Sequence, residues 1–214
     1  MTRITEALRS STAVEPDSPV VLLLHGYGSN AGDLAAAADA LAPGMAWASL
    51  RAPLRVPGSG YAWFPITTPG DPAPEPVTEA AGAIWEWVEA ELPSDIVVVP
   101  VGFSQGGLMA SELLRTRPAR VPAAVVLGGF VQRTARAGDI DLARTRPPLF
   151  WGRGADDTII ASAAIDRSKQ WFPEHTTLDA RVYPGLGHAI NAAEAADVRS
   201  FLQRHAVALA DDER

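Results

Sequence analysis

The chain is built on an alternation. Short, nearly continuous apolar runs rich in β-branched residues, "PVVLLLHG" from Pro19, "MAWASLRAP" from Met45, "IVVVPVGF" from Ile96, "AAVVLGGF" from Ala123, "PPLFWGRG" from Pro147 and "TTLDARVYPG" from Thr176, are separated by longer segments of helical period. A run that is apolar on both of its alternating faces is a strand buried on both sides, and strands joined through helices pair in parallel. The pattern predicts a doubly wound α/β architecture, a mostly parallel central sheet with helices on both faces. The first nineteen residues carry a weaker pattern, read as an antiparallel edge strand.

The helical segments have their own signals. "GSNAGDLAAAADALAPG" offers Ser29 or Asn30 as an N-cap, an Ala-rich middle and a Pro-Gly stop. In "VTEAAGAIWEWVEAELP", Ile84, Val88 and Leu92 recur every fourth residue while Glu86, Glu89 and Glu91 fall elsewhere, which gives one buried stripe. A last helix, from about Ala189, sets Val198, Phe201 and Leu202 on one face. The irregular stretch is "APLRVPGSGYAWFPITTPGDPAPEP", Ala52 to Pro76, too rich in proline for a helix or a central strand. A loop of this length is expected to lean over a substrate cleft, with Trp63 and Phe64 as pocket walls; the alternative is that these aromatics pin the loop to the core.

No repeat and no Gly/Ser linker interrupts the 214 residues, and with 47% apolar content residues 1–214 are expected to form a single domain. The chain has no cysteine, which excludes disulfides, thiolate metal sites and a cysteine nucleophile. A reducing compartment suits it, and a cytoplasmic location is expected. Net charge is −7 and Lys169 is the one lysine, a balance that argues against a nucleic-acid partner and for a small neutral or cationic substrate. No apolar stretch has the length of a secretory signal core or a transmembrane helix.

The chemistry is read from "VGFSQGGLMASELLR", from Val101, where an apolar strand runs through Gly102-Phe103-Ser104-Gln105-Gly106 into a helical segment. A serine on such a strand-to-helix turn is the nucleophile-elbow pattern, and the flanking glycines let strand and helix come close. A serine hydroxyl needs a base, and the base needs an orienting acid. Asp156 and Asp157 both follow the strand "PPLFWGRG" at its carboxyl end, and of the four histidines His188 follows both the acid and the last strand without falling, as His205 does, within the terminal helix. The competing reading makes the aspartates helix caps and His188 a surface-loop residue. An oxyanion hole would take its backbone N–H groups from Gln105 and from Tyr27, in the turn "LHGYGSN". His25 and Gly26 are then structural. His25 lacks a second ligand at metal spacing, so no metal or other cofactor is expected.

These motifs resemble the phospholipase/carboxylesterase family of α/β-hydrolases, which includes acyl-protein thioesterases and small bacterial carboxylesterases. The resemblance runs from "LLLHGYGSNAGDL" through "WFPI", "VGFSQGGLMA" and "GRGADDTII" to "YPGLGHAI". It implies an α/β-hydrolase fold without a large cap domain, Ser104 as nucleophile, His188 as base, and Tyr27 and Gln105 as oxyanion donors. The family places its aspartate three residues after a glycine and just before an apolar pair; Gly154, Asp157, Ile159 and Ile160 match, so the resemblance selects Asp157 over Asp156. Arg153 stands where the family often has histidine, Ala161 where it often has proline, and Pro100 is unusual in a central strand, calling for a bulge or an absent ladder partner. The implied activity is serine carboxylic-ester hydrolysis on a small-molecule ester or acyl substrate. Acyl-protein thioesterase or lysophospholipase activity is the alternative within the same chemistry, and a non-catalytic binding module on the same scaffold the rival from another class. A homodimer is left open.

Overall fold

The computed structural model describes residues 2–15, 18–58 and 60–205. The carboxyl end at 206–214, which the single-domain expectation includes, lies outside the described residues. In chain order the elements are β1 (Ala7–Arg9), β2 (Val20–Leu24), α1 (Ala31–Ala35), α2 (Ala38–Leu41), β3 (Trp47–Leu50), β4 (Leu54–Arg55), β5 (Tyr61–Ala62), α3 (Pro74–Glu91), β6 (Val98–Phe103), α4 (Gln105–Thr116), β7 (Ala124–Leu127), α5 (Asp139–Thr145), β8 (Pro148–Gly154), α6 (Ser162–His175), β9 (Thr177–Tyr183) and α7 (Ala192–His205).

Seven strands form one sheet in the order β1-β3-β2-β6-β7-β8-β9. β1 pairs antiparallel with β3 and every other pair in that sheet is parallel. Alternation along β2 shows how the sheet is covered: Val20, Leu22 and Leu24 join a core that holds residues of α3, α4 and α6, while Val21 and Leu23 join one that holds residues of α1, α2 and α7. All five β2 side chains are buried, each contributing about 1.5–3 kcal/mol relative to exposure.

Three local features differ from, or resolve, the sequence reading. The Ala-rich helix is interrupted at Ala36–Ala37, and Leu34, Ala38 and Leu41 nonetheless keep one buried face. Asn30 is its N-cap, accepting the Gly32 N–H at 2.7 Å. The proline-rich stretch is not all loop: it contains the β4–β5 hairpin, and α3 starts at Pro74 rather than at Val77, because prolines in a first helical turn forgo N–H groups that have no helical acceptor there. Pro100 needs no bulge, since β6 keeps continuous register with β2 from Val98 to Gly102. Ser104 N–H donates to Leu127 at 2.8 Å, so even positions of β6 face β7, and Pro100 lies before the first β6–β7 partner pair, Val101 with Val125.

One buried acid stands out. Glu194 in α7 is 1% exposed, its N–H is capped by Asn191 Oδ1 at 2.8 Å, and neither carboxyl oxygen finds a partner among the described residues. Its carboxyl occupies the space left by the missing side chain of Gly152 in β8. Burial, with a smaller contribution from Asp197, pushes its pKa from 4.5 up to about 7. A carboxyl whose folded pKa is raised holds its proton in the native state after the unfolded chain has lost it, so its contribution to stability declines as pH rises from about 4.5 through about 7. Replacing Glu194 by Gln keeps the shape of the protonated acid. In urea titrations the stability gap between wild type and Glu194→Gln should widen in favour of Gln between pH 5 and pH 8, by at most about 3 kcal/mol; a gap constant with pH would show that the acid ionises normally.

Candidate active site

The site begins with a backbone conformation. Ser104, between β6 and α4, has φ 56° and ψ −115°, one of two non-glycine residues at positive φ among those described. Such a conformation costs on the order of 1–3 kcal/mol and persists only where its surroundings enforce it. Here they do, because backbones meet on both sides. A Cβ at Gly102 would collide with the Gly106 carbonyl, and a Cβ at Gly106 with the carbonyls of Leu24 and His25 at the end of β2. Ser104 N–H is tied to Leu127 at 2.8 Å and Ser104 C=O accepts from Leu108 N–H at 3.1 Å.

The loops after β8 and β9 bring two further side chains to this serine. Gly154 lets the β8 end abut the carbonyls of Leu186 and Gly187, where any side chain would collide. Ala155 N–H donates to Tyr183 and Asp156 N–H to Leu186, both at 2.9 Å, so the two loops are bonded to each other before their functional side chains are considered. His188 Nε2 lies 2.8 Å from Ser104 Oγ, and His188 Nδ1 lies 2.7 Å from Asp157 Oδ2. A carboxylate only accepts, so Nδ1 carries the proton and Nε2 is the acceptor for the serine hydroxyl. Asp157 Oδ1 accepts the N–H groups of Ile159 at 2.9 Å and Ile160 at 3.3 Å, which fixes the carboxylate from its far side. Phe103 packs on the imidazole at 4.9 Å between centroids. Asp156 is exposed and takes no part in this chain of contacts.

Gln105 opens α4 and Tyr27 lies in the loop after β2; among the described residues neither backbone N–H has an acceptor within the protein. The Tyr27 loop is held from outside by the hairpin. Gly28 N–H donates to Tyr61, Tyr61 N–H donates to Ser29, both at 2.8 Å, and Gly60 is packed so tightly on Gly28 that a side chain has no room. His25 ties the loop from inside, with Nε2 accepting Ala52 N–H at 3.1 Å and Nδ1–H donating to Gly26 C=O at 2.7 Å. Burial lowers its pKa, and the neutral ring has one donor and one acceptor, both in use.

A cleft of about 220 Å³ opens beside Ser104 and Gln105, walled by Phe64, Ile66, Pro72, Phe130, Ile159 and Ile160. Trp63, expected beside Phe64 as a wall, does not line it. It is 1% exposed and its indole N–H donates to His25 C=O at 2.8 Å, so it pins the loop to the core. Between the two aromatics lies a contact the sequence did not reveal. The Gln105 side chain accepts Trp63 N–H at 2.8 Å and donates to Phe64 C=O at 2.7 Å, bonding the long loop to the start of α4. Phe130 was also missed, although it follows the carboxyl end of β7, where the rule applied to β6 and β8 would have placed it. Among the described residues no group of three or more His, Cys, Asp or Glu could hold a metal ion, and no helix is long and apolar enough to cross a membrane.

Residues 9–206 match the model of the phospholipase/carboxylesterase family. The chain belongs to this family of hydrolases. Acyl-protein thioesterase 1 of Kluyveromyces lactis is 25% identical over 92% of the chain and 96% of its own length. Among solved structures, the Bacillus cereus carboxylesterase superposes with a TM-score of 0.77 at 19% identity over 93% of each chain, and Arabidopsis thaliana SOBER1 with 0.73 at 21% identity over 87% of this chain and 98% of its own. These likenesses carry the α/β-hydrolase fold, and no large cap domain covers the cleft among the described residues.

Gln105→Ala leaves the buried Trp63 N–H and Phe64 C=O without partners, at about 1–3 kcal/mol each. Urea denaturation should show a loss of that order, while a loss below about 0.5 kcal/mol would mean that the loop is held by its other contacts.

Proposed function

We propose that the protein is a serine carboxylic-ester hydrolase working through a Ser104-His188-Asp157 triad and an acyl-enzyme intermediate. The observation that carries this reading is the unbroken contact from Ser104 Oγ through the imidazole to the Asp157 carboxylate, at 2.8 and 2.7 Å. Ser104 Oγ attacks the substrate carbonyl carbon as its proton passes to His188 Nε2. The resulting oxyanion is received by the N–H groups of Tyr27 and Gln105, donors worth about 2.7–4 kcal/mol each in such sites, and the N-terminus of α4 adds its positive dipole end. Collapse of the tetrahedral species breaks the ester bond, and His188 returns the proton to the departing alcohol. Water then attacks the acyl-serine, losing a proton to His188, and the second collapse frees the acid and restores the serine. Asp157 holds the tautomer throughout and stabilises the protonated imidazole.

A relative named acyl-protein thioesterase matches 92% of the chain and one named carboxylesterase 56%, so thioester cleavage is the second reading; both reactions need the same groups. Comparing kcat/KM on an acyl-CoA and on the p-nitrophenyl ester of the same acid separates them.

Ser104→Ala should lower kcat on a p-nitrophenyl acyl ester by about 10⁴-fold or more while leaving the thermal transition in place, and should abolish labelling by a fluorophosphonate. A variant that keeps the wild-type rate excludes the mechanism. Asp157→Asn should lower kcat by about 10⁴-fold, because the amide favours the wrong imidazole tautomer, whereas Asp156→Asn should change it less than about threefold. The reverse order would move the acid's role to Asp156.

A further inference from the structure

Besides Ile159 and Ile160 after β8, the cleft beside Ser104 is walled from two distant parts of the chain, the segment 65–73 ahead of α3 and Phe130 after β7. One side chain of α6 joins them. Arg167 donates from Nη2 to Gly70 C=O at 2.8 Å and from Nε to Val131 C=O at 2.9 Å, while its guanidinium carbon lies 5.8 Å from the centroid of the Phe130 ring. Gly70 and Phe130 both line the cleft, and Arg167 itself does not.

The segment has little structure of its own to hold it. Pro65, Pro69 and Pro72 have no N–H, and one backbone turn, Asp71 N–H to Thr68 C=O at 3.1 Å, is its internal bond. Its position is therefore set by what reaches it from outside. Gly70, at φ +73°, lies against α6 so closely that a Cβ would come within 2.7 Å of the Ala161 Cβ, which stops the segment moving inward toward the helix. The Arg167 bond stops it moving away, and Gln132 Nε2 to Pro72 C=O at 3.1 Å and the exposed Arg133–Asp71 ion pair at 3.0 Å add further ties. On the other wall, Ser168 Oγ accepts Val131 N–H at 3.0 Å, so α6 fixes that side independently of Arg167.

The cleft between them is small and uncharged. About 220 Å³ is below the range of about 300–1,000 Å³ typical of pockets that enclose drug-sized ligands. No charged side chain lines it.

We propose that Arg167 is a specificity-determining positioning residue: by bonding both walls it holds the cleft to short acyl chains, of the butyrate to hexanoate class, and excludes chains of laurate length and longer. This rests on Ser104 being the nucleophile of an ester hydrolase. The fork of the guanidinium is what lets one side chain serve two carbonyls, and a lysine ammonium lacks that fixed geometry.

The test is a p-nitrophenyl ester series from acetate to palmitate, with kcat/KM measured for wild type, Arg167→Lys and Arg167→Ala. Ratios within one preparation are read, so a fall in the folded fraction cancels, and fluorophosphonate labelling counts working sites. Wild type should peak at butyrate or hexanoate, with laurate about tenfold lower or more. Arg167→Ala should raise the laurate-to-butyrate ratio about tenfold, and Arg167→Lys should fall between; if the alanine variant does not fold, the lysine variant carries the comparison. A wild-type optimum at laurate or palmitate, or labelled and active variants with an unchanged length profile, overturns the role of Arg167 while leaving the hydrolase reading intact. No labelling and no turnover of any ester by wild type overturns both.

Discussion

The site depends on backbones being allowed to touch. Gly106 at the start of α4 packs on the carbonyls at the end of β2, and Gly102 in β6 packs on Gly106 itself, so strand, helix and neighbouring strand converge with no side chain between them. Ser104 has nowhere to go but positive φ, which turns its hydroxyl out of the sheet at the carboxyl end. The strain, on the order of 1–3 kcal/mol, is small against the burial of the apolar residues in the strands on either side.

Around that point the molecule is cross-braced rather than lined by free loops. The β8 and β9 loops are bonded through Ala155 and Asp156 to Tyr183 and Leu186, the Tyr27 loop through Gly28 and Ser29 to Tyr61, and the long segment through Gln105 to α4. In each case a backbone group or a buried amide carries the brace. Buried side-chain polar atoms at such positions stabilise only when satisfied, and those of the His25 and Gln105 side chains are. Glu194 is the contrast, a buried acid behind β8 whose oxygens have no protein partner among the described residues.

Much of this was legible in the chain. All six apolar runs became strands of the sheet, and the weak amino-terminal pattern became an antiparallel edge. Ile84, Val88 and Leu92 form the buried stripe of α3, and Val198, Phe201 and Leu202 that of α7. The failures share a cause. Trp63 and Phe64 are adjacent in a loop, where no periodicity assigns sides: one turned into the core and the other into the cleft. Pro74 and Pro76 marked loop by composition and proved to be a first helical turn, where proline is tolerated. The choice between Asp156 and Asp157 was not among the failures: type and strand end leave both open, and the family resemblance selected Asp157. The hydrogen bonds from Asp156 N–H to Leu186 and from the Ile159 and Ile160 N–H groups to Asp157 separate them.

By itself the sequence determined the layered architecture, the turn that carries Ser104 and the order of the groups along the chain, because hydrophobic period, glycine placement and strand ends are local properties written in neighbouring residues. Only the tertiary structure decided which aromatic walls the cleft and that Arg167 spans two of its sides. Those contacts join residues far apart in the chain, and their partners are chosen by the register of the sheet and by how closely two backbones approach, neither of which any single segment encodes.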